Sequence, residues 1–262
     1  MEHQDSIGPF SAIISAAGQA GEDLARVLGV DEKCAAMVGE QPLALAATIA
    51  ALSAGASQVA IVCGPKTRAM LTPLPTRCVF AEPGTNPVES ARAGARSLNP
   101  TGTILFLPGD LPFVGAEHVS EFLSELQKRI PDRPWVAAGI SSRVDIERRF
   151  PNAPGMGYMK LDGVQYAGGG IFAASPEGFE RTLSILSKIA GNRKSQMRMA
   201  LRFGPMNVIR YFTGRMTTAG AEHAGQRLFG CDSFVIPNCA PETTIDVDNA
   251  EDWTFALNHL AS

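Results

Sequence analysis

The sequence predicts an α/β fold: a three-layer α/β/α arrangement with a mostly parallel central sheet. Near-continuous apolar runs of strand length recur along the chain, helical segments alternate with them, and the runs suit strands covered on both faces. The composition agrees. With 45% hydrophobic residues but only 7% aromatic and 19% charged, the core is built mainly from small and branched side chains. At 262 residues the chain fits one large α/β domain or two small ones.

In order, the predicted strands cover 10–16, 58–63, 78–81, 103–107, 135–140, 171–174 and 234–236, each an apolar run of the right length. The predicted helices cover 43–53, 87–97, 116–128, 176–190, 196–203 and 250–260. The last opens on Asp248-Asn-Ala-Glu251, a capping-box spacing. Between about 141 and 169 the pattern dissolves into Gly, Pro and charged residues. This predicts loops plus a short hairpin over 158–166, turning at Asp162-Gly163.

The uncharged stretch 41–65 has the length of a membrane span, but its first half is Ala-rich and Ser53-Ala-Gly55-Ala-Ser-Gln58 interrupts it. A buried helix, a turn and a strand are expected there. The first residues lack the basic and apolar regions of a signal peptide. Cys34, Cys63, Cys78, Cys231 and Cys239 form no C-x-x-C pair, and Cys63 and Cys78 lie in apolar runs where a thiol acts as a small hydrophobe. His3, His118, His223 and His259 show no zinc-ligand spacing. The expectation is a cytoplasmic protein with reduced thiols and no membrane partner.

Charge is concentrated in one place. Residues 191–230 carry seven Lys or Arg, among them Arg193 and Lys194, against the single acid Glu222, a net of +6 that leaves −9 for the remainder of a chain totalling −3. Such a segment is either a solvated helical face or an anion-attracting wall over a phosphorylated substrate. Nucleic acid is not expected as a partner, because the whole chain is acidic and aromatics are not interleaved with the basic residues.

Three constellations carry chemistry. The first is the junction leaving the first strand, Ile14-Ser15-Ala16-Ala17-Gly18-Gln19-Ala20-Gly21, followed by Lys33. Small residues there let backbone N–H groups approach phosphate oxygens, although the pattern is neither G-x-G-x-x-G nor a Walker loop. The second is Leu107-Pro108-Gly109-Asp110-Leu111-Pro112, an acid held between Gly and Pro at the end of an apolar strand. It is placed to hold Mg²⁺ or, alternatively, to cap the turn before Ala116. The third is Asp246-Val-Asp248-Asn-Ala-Glu-Asp252, where acids at i and i+2 of an extended stretch point the same way. They suit a metal, or one of them caps the helix that follows.

Taken with Lys33-Cys-Ala-Ala-Met-Val-Gly39-Glu-Gln-Pro42-Leu43 and Gly168-Gly169-Gly170, these motifs resemble the MobA-like nucleotidyltransferases over nearly the whole chain. That group includes molybdenum-cofactor guanylyl- and cytidylyltransferases and related sugar-phosphate enzymes. The resemblance implies a GT-A-like fold and a single domain over 1–262 with a basic helical insert at about 191–230. It also implies Mg²⁺-dependent transfer of a nucleoside monophosphate from an NTP to a small anionic acceptor, phosphorylated or hydroxylic, with release of pyrophosphate. Asp110, Asp246 and Asp248 are then the metal ligands, with Lys33 and Asp110 catalytic. Ala16, Ala17, Gly18, Gly21, Lys33, Asn86, Ser90 and Gly109 bind the nucleotide, and Gly168, Gly169, Gly170, Arg193 and Lys194 the acceptor.

The chain departs from the group's G-G-x-G/S-x-R-M-G signature. Arg26 is displaced, and Glu22 and Asp23 stand where phosphate is expected. That departure motivates a second reading, a nucleotide-binding or regulatory module without turnover. A third, a Rossmann dehydrogenase, lacks the dinucleotide glycine pattern.

Overall fold

The computed structural model describes residues 8–189, 210 and 213–260. Its strands, in chain order, are β1 (Phe10–Ala16), β2 (Met37–Val38), β3 (Gln41–Pro42), β4 (Val59–Cys63), β5 (Cys78–Ala81), β6 (Thr103–Pro108), β7 (Trp135–Ser142), β8 (Tyr158–Leu161), β9 (Val164–Ala174) and β10 (Asp232–Ile236). Among the described residues, eight of them form one sheet in the order β10-β7-β9-β6-β1-β4-β5, with β8 joined to β9, while β2 and β3 make a separate small hairpin. The pairs β6-β1, β1-β4, β4-β5 and β10-β7 are parallel. Strand β9 runs against both β6 and β7 and is closed onto β8 by the turn expected at Asp162-Gly163, where both residues have positive φ, 50° and 85°.

Alternation along the parallel strands divides the core into two faces. Phe10, Ala12, Ile14 and Ala16 of β1 join Val59, Ile61 and Cys63 of β4 and Leu105 and Leu107 of β6 in one cluster. Ile13, Ala60, Val62 and Ile104 point into the other. The first face is covered by α2 (Ala44–Ser53) and α5 (Ala116–Gln127), the second by α4 (Pro87–Leu98) and α7 (Pro176–Ile189). This is the three-layer arrangement that uniformly apolar strands require, because neither face of such a strand tolerates water. The uncharged stretch 41–65 resolves into α2, a turn and β4, and no helix among the described residues is long and apolar enough to cross a membrane. All five thiols are free.

Several expectations need correction. The region expected as loops holds a helix, α6 (Arg143–Arg149). Ser142 caps it, accepting from the Asp145 amide at 3.1 Å, and β7 runs up to that cap. Two more helices were not expected, α1 (Glu22–Leu28) and α3 (Pro65–Met70), whereas α8 (Thr218–Phe229), packed on β10, falls within the segment 191–230 expected to be helical. The predicted strand 171–174 is the end of the much longer β9, whose Gly168-Gly169-Gly170 run hides its strand character from the sequence. The cap of the final helix, α9 (Ala250–Leu260), is Asn249 rather than Asp248. Asn249 Oδ1 accepts from the Glu251 and Asp252 amides at 2.8 and 3.0 Å, and Asp252 Oδ2 accepts in return from the amide of Asn249 at 3.0 Å. The predicted helix 196–203 lies outside the described residues.

Helix α4 sits close on the sheet because residue 94 has no side chain. A Cβ there would stand 2.7 Å from Ile13 Cγ2 and 2.8 Å from Val62 Cγ2, both on fully buried residues. Gly94→Val is therefore expected to destabilise the protein by about 1–3 kcal/mol through overpacking. Urea unfolding checks this, and an unchanged midpoint would mean that α4 does not rest on β1 and β4 as described.

Candidate active site

The order β6-β1-β4 places three loops side by side at the carboxyl edge of the sheet, where open α/β sheets hold their ligands. The loop after β1 carries Ala17 to Gly21. Residues 31–33 return along it, with Ala20 N donating to Asp31 O at 2.8 Å, Lys33 N to Gly18 O at 3.0 Å, and Gln19 bridged antiparallel to Glu32. Lys33 then opens a 3₁₀ turn (Lys33–Ala35) and its side chain lies along Gly18. The end of β6 closes tightly on β1: Gly109 N donates to Ser15 O at 2.8 Å, and a Cβ on Gly109 would come within 2.8 Å of Ala16 Cβ. Only glycine allows this approach, and it delivers Asp110 to the mouth of the Gly18 loop.

The third segment arrives from the far end of the chain. Val247, fully buried against Leu24, Leu43 and Trp253, donates its amide to Asp110 O at 3.1 Å. With Val247 turned inward, Asp246 and Asp248 both face outward, as i and i+2 in an extended stretch must. Upstream, buried Glu242 anchors this returning segment. It accepts from Arg149 Nε at 2.6 Å and lies 3.7 Å from His118 Nε2, while Thr244 donates its hydroxyl to Ser141 at 2.7 Å. The spacing of Arg149 and Glu242 in sequence gave no sign of this anchor. None of Asp110, Asp246 and Asp248 serves as the cap of α5 or α9. Asn249 caps α9, and α5 begins at Gly115, whose amide donates to His118 Nδ1 at 3.0 Å.

Lys33 joins the segments. Its Nζ lies 2.5 Å from Asp110 Oδ2 and 2.8 Å from Asp248 Oδ1; the side chains of Lys33 and Asp110 are 10% and 13% exposed, that of Asp248 68%. Burial works against the ammonium, but Asp110 and then Asp248 more than offset it and hold the Lys33 pKa above the ordinary lysine range. Asp110 Oδ1, by contrast, is buried without a hydrogen-bond partner. Asp246 makes up the group electrostatically. Desolvation first, then the nearby carboxylates of Asp248 and Asp110, push its pKa up to about 6. The residue is nonetheless exposed to solvent. Among the described residues no three His, Cys, Asp or Glu side chains are gathered closely enough to hold a metal ion, and the ammonium of Lys33 stands between Asp110 and Asp248. Two carboxylates flank the ammonium, one of them with an orphaned buried oxygen, and Asp246 adds a third negative charge nearby, so the cluster supplies hard oxygen donors.

The other candidate residues are distributed as follows. Ala16, Ala17, Gly18, Gly21 and Gly109 line the junction just described, and no atom lies within 4 Å of where a Gly21 Cβ would stand. Asn86 and Ser90 lie after β5 on the same edge, where they build their loop. Asn86 caps α4, accepting from Glu89 N at 3.0 Å, and Ser90 Oγ accepts from Gly84 N at 3.0 Å. Gly168 is exposed with open space above it. Gly169 and Gly170 instead fit against the Gly139 carbonyl and against Leu111 and Thr243, so their missing side chains serve packing. Arg193 and Lys194 lie outside the described residues. Glu22 and Asp23 occupy the exposed first turn of α1 directly after Gly21.

Comparison with known proteins agrees with this architecture. Residues 12–141 match the MobA-like NTP transferase domain. A hypothetical transferase from Thermus thermophilus superposes with a TM-score of 0.78 at 24% identity, over 93% of this chain and 98% of that one. A CMP:2-keto-3-deoxy-manno-octonic acid synthetase complexed with CTP gives 0.63 at 13%, over 97% and 99%. A nucleotidyl transferase from Methanothermobacter thermautotrophicus gives 0.57 at 18%, over 97% and 98%. No curated protein matches the chain.

The environment of Asp246 has a measurable consequence. Its folded pKa, about 6, stands above the ordinary carboxylate value of 3.8, so the folded state binds this proton more tightly than the unfolded one. The associated stability is fully present below about pH 4 and is lost as pH rises through about 6. Asp246→Asn is expected to raise the urea midpoint at pH 8 and leave it unchanged at pH 3.5. An equal effect at both pH values would show that the carboxylate is not perturbed.

Proposed function

We propose that this chain, whose residues 12–141 belong to the MobA-like NTP transferase domain family, transfers a nucleoside monophosphate from an NTP to a phosphorylated or hydroxyl acceptor. The observation that carries the reading is the meeting of Lys33, Asp110 and Asp248 beside the Gly18 loop. In the reaction an acceptor oxygen forms a bond to the α-phosphorus while the bond from that phosphorus to the bridging oxygen breaks. The electron pair leaves with pyrophosphate, and where the acceptor is a hydroxyl its proton passes to solvent. The main obstacle is negative charge, so the protein's contribution is positioning and neutralisation.

Each residue has a part. The backbone from Ala16 to Gly21 would receive the β- and γ-phosphates, and the Lys33 ammonium, held charged by its partners, would stabilise the departing pyrophosphate. Mg²⁺, when bound, neutralises charge shared among the phosphate oxygens. Asp110 would hold it, with Asp246 and Asp248 as further ligands or as acceptors for its waters. The orphaned Oδ1 of Asp110 supports that assignment. On this reading residues 1–262 form one nucleotidyltransferase-like domain, and the net positive charge of segment 191–230 suits a small anionic acceptor.

One observation favours a different outcome. Glu22 and Asp23 oppose a triphosphate at the first turn of α1, as expected of a module that binds nucleotide without turning it over.

Pyrophosphate release decides between the two. The wild-type protein is expected to release pyrophosphate from one NTP in the presence of Mg²⁺ and an acceptor. Asp110→Ala should lower that rate by at least about 10²-fold while circular dichroism shows an intact fold. An Asp110→Ala protein with the wild-type rate would remove Asp110 from the mechanism. A thermal shift with an NTP but no pyrophosphate from any acceptor would establish the binding module.

A further inference from the structure

Glu32, the residue before Lys33, is 7% exposed, and its carboxylate meets none of the groups assigned above to nucleotide or metal. Burying a carboxylate is costly unless donors replace its water. Here three do. Lys66 N donates to Oε1 at 3.1 Å, and Thr67 donates to Oε2 from its amide and its hydroxyl, both at 2.8 Å. Although burial is the largest influence and works upward, the Thr67 and Lys66 donors together outweigh it, and the Glu32 pKa is lowered. The loop after β4 is shaped to admit this group, since a Cβ on Gly64 would stand 2.5 Å from Glu32 Oε1.

Three consecutive residues therefore grip two neighbouring segments. Asp31 pairs with Lys66 at 2.5 Å and Glu32 holds the amides of Lys66 and Thr67, both in the first turn of α3 after β4, while Lys33 reaches the loop after β6. Between them the backbone of Glu32 bridges to Gln19 in the loop after β1. Lys33 has little freedom to compensate for a displaced backbone, because its stem lies along Gly18 while Nζ must meet carboxylates of two remote segments.

We infer that Glu32 is a positioning residue, whose clamp on the first turn of α3, directly after β4, sets the place from which Lys33 reaches Asp110 and Asp248. In its kinetic consequence the inference rests on the transferase reading; in its structural consequence it does not. A group displaced by about 1 Å loses on the order of 10²-fold in rate, whereas uniform substrate binding is less sensitive.

The test combines kinetics with chemical access to Lys33. In Glu32→Ala, kcat for pyrophosphate release should fall about 10²-fold with NTP KM changed less than about threefold. Glu32→Gln, which keeps the volume and part of the acceptor capacity, should restore much of that loss. Reductive methylation of the folded protein, read by peptide mass spectrometry, should show Lys33 labelled roughly tenfold faster in Glu32→Ala than in wild type, with Lys160 unchanged. If Glu32→Ala does not fold, Thr67→Val removes one donor at constant volume. It should move kcat and Lys33 labelling in the same directions by about threefold.

A lowered thermal midpoint with wild-type kcat and wild-type Lys33 labelling, in whichever of the two variants folds, would overturn the inference and leave Glu32 as a pin for α3. Labelling needs no turnover. A wild-type protein that releases no pyrophosphate refutes the transferase reading alone, while the labelling comparison still decides the role of Glu32.

Discussion

A buried ammonium needs partners, and Lys33 finds them between Asp110 and an acid 215 residues away, Asp248. Much of the architecture around the carboxyl edge follows from that requirement. The charged pair is tolerable at 10% and 13% exposure because its hydrogen bonds replace water directly, and because Asp248 remains largely in solvent and lowers the desolvation cost. The interaction closes the chain on itself, joining its first strand, its central strand and the segment leading into its last helix.

Maintaining it demands close approaches that larger side chains would forbid. Strand β6 can deliver Asp110 only because Gly109 lies against Ala16. Val247 can hold Asp246 and Asp248 outward only because it fills an apolar hole between α1, α2 and α9. The Arg149, His118 and Glu242 contacts and the Thr244–Ser141 hydrogen bond fasten the same returning segment further upstream. Side chains held in this way need little reorganisation when charge arrives, which is how a rigid scaffold lowers an electrostatic barrier.

The charge around the Gly18 loop is mixed but predominantly acidic. Carboxylates outnumber the ammonium and favour positive charge, while Glu22 and Asp23 add an acidic rim after Gly21. On the proposed reading, a triphosphate arriving with a divalent cation would meet both signs of that charge at once. The same acids would oppose a free phosphate.

Local rules reached much of this molecule. The alternation of apolar runs and helices defined the layers, with β1 and β5 recovered to the residue, because strands buried on both faces leave an unbroken signal in the sequence. Short helices such as α6 escaped notice although their caps, Ser142 with Asp145 for instance, were written in the chain, because a single turn or two leaves no periodicity to read. Asp248 and Asn249 show the limit most clearly. Spacing marked the helix start, but only the folded chain decided that Asn249 takes the cap and Asp248 is left for Lys33. The partner of each charge, and the burial of Glu32 beside Lys33, depended on loops brought together by strand order, and no local pattern encodes which distant group will satisfy a desolvated one.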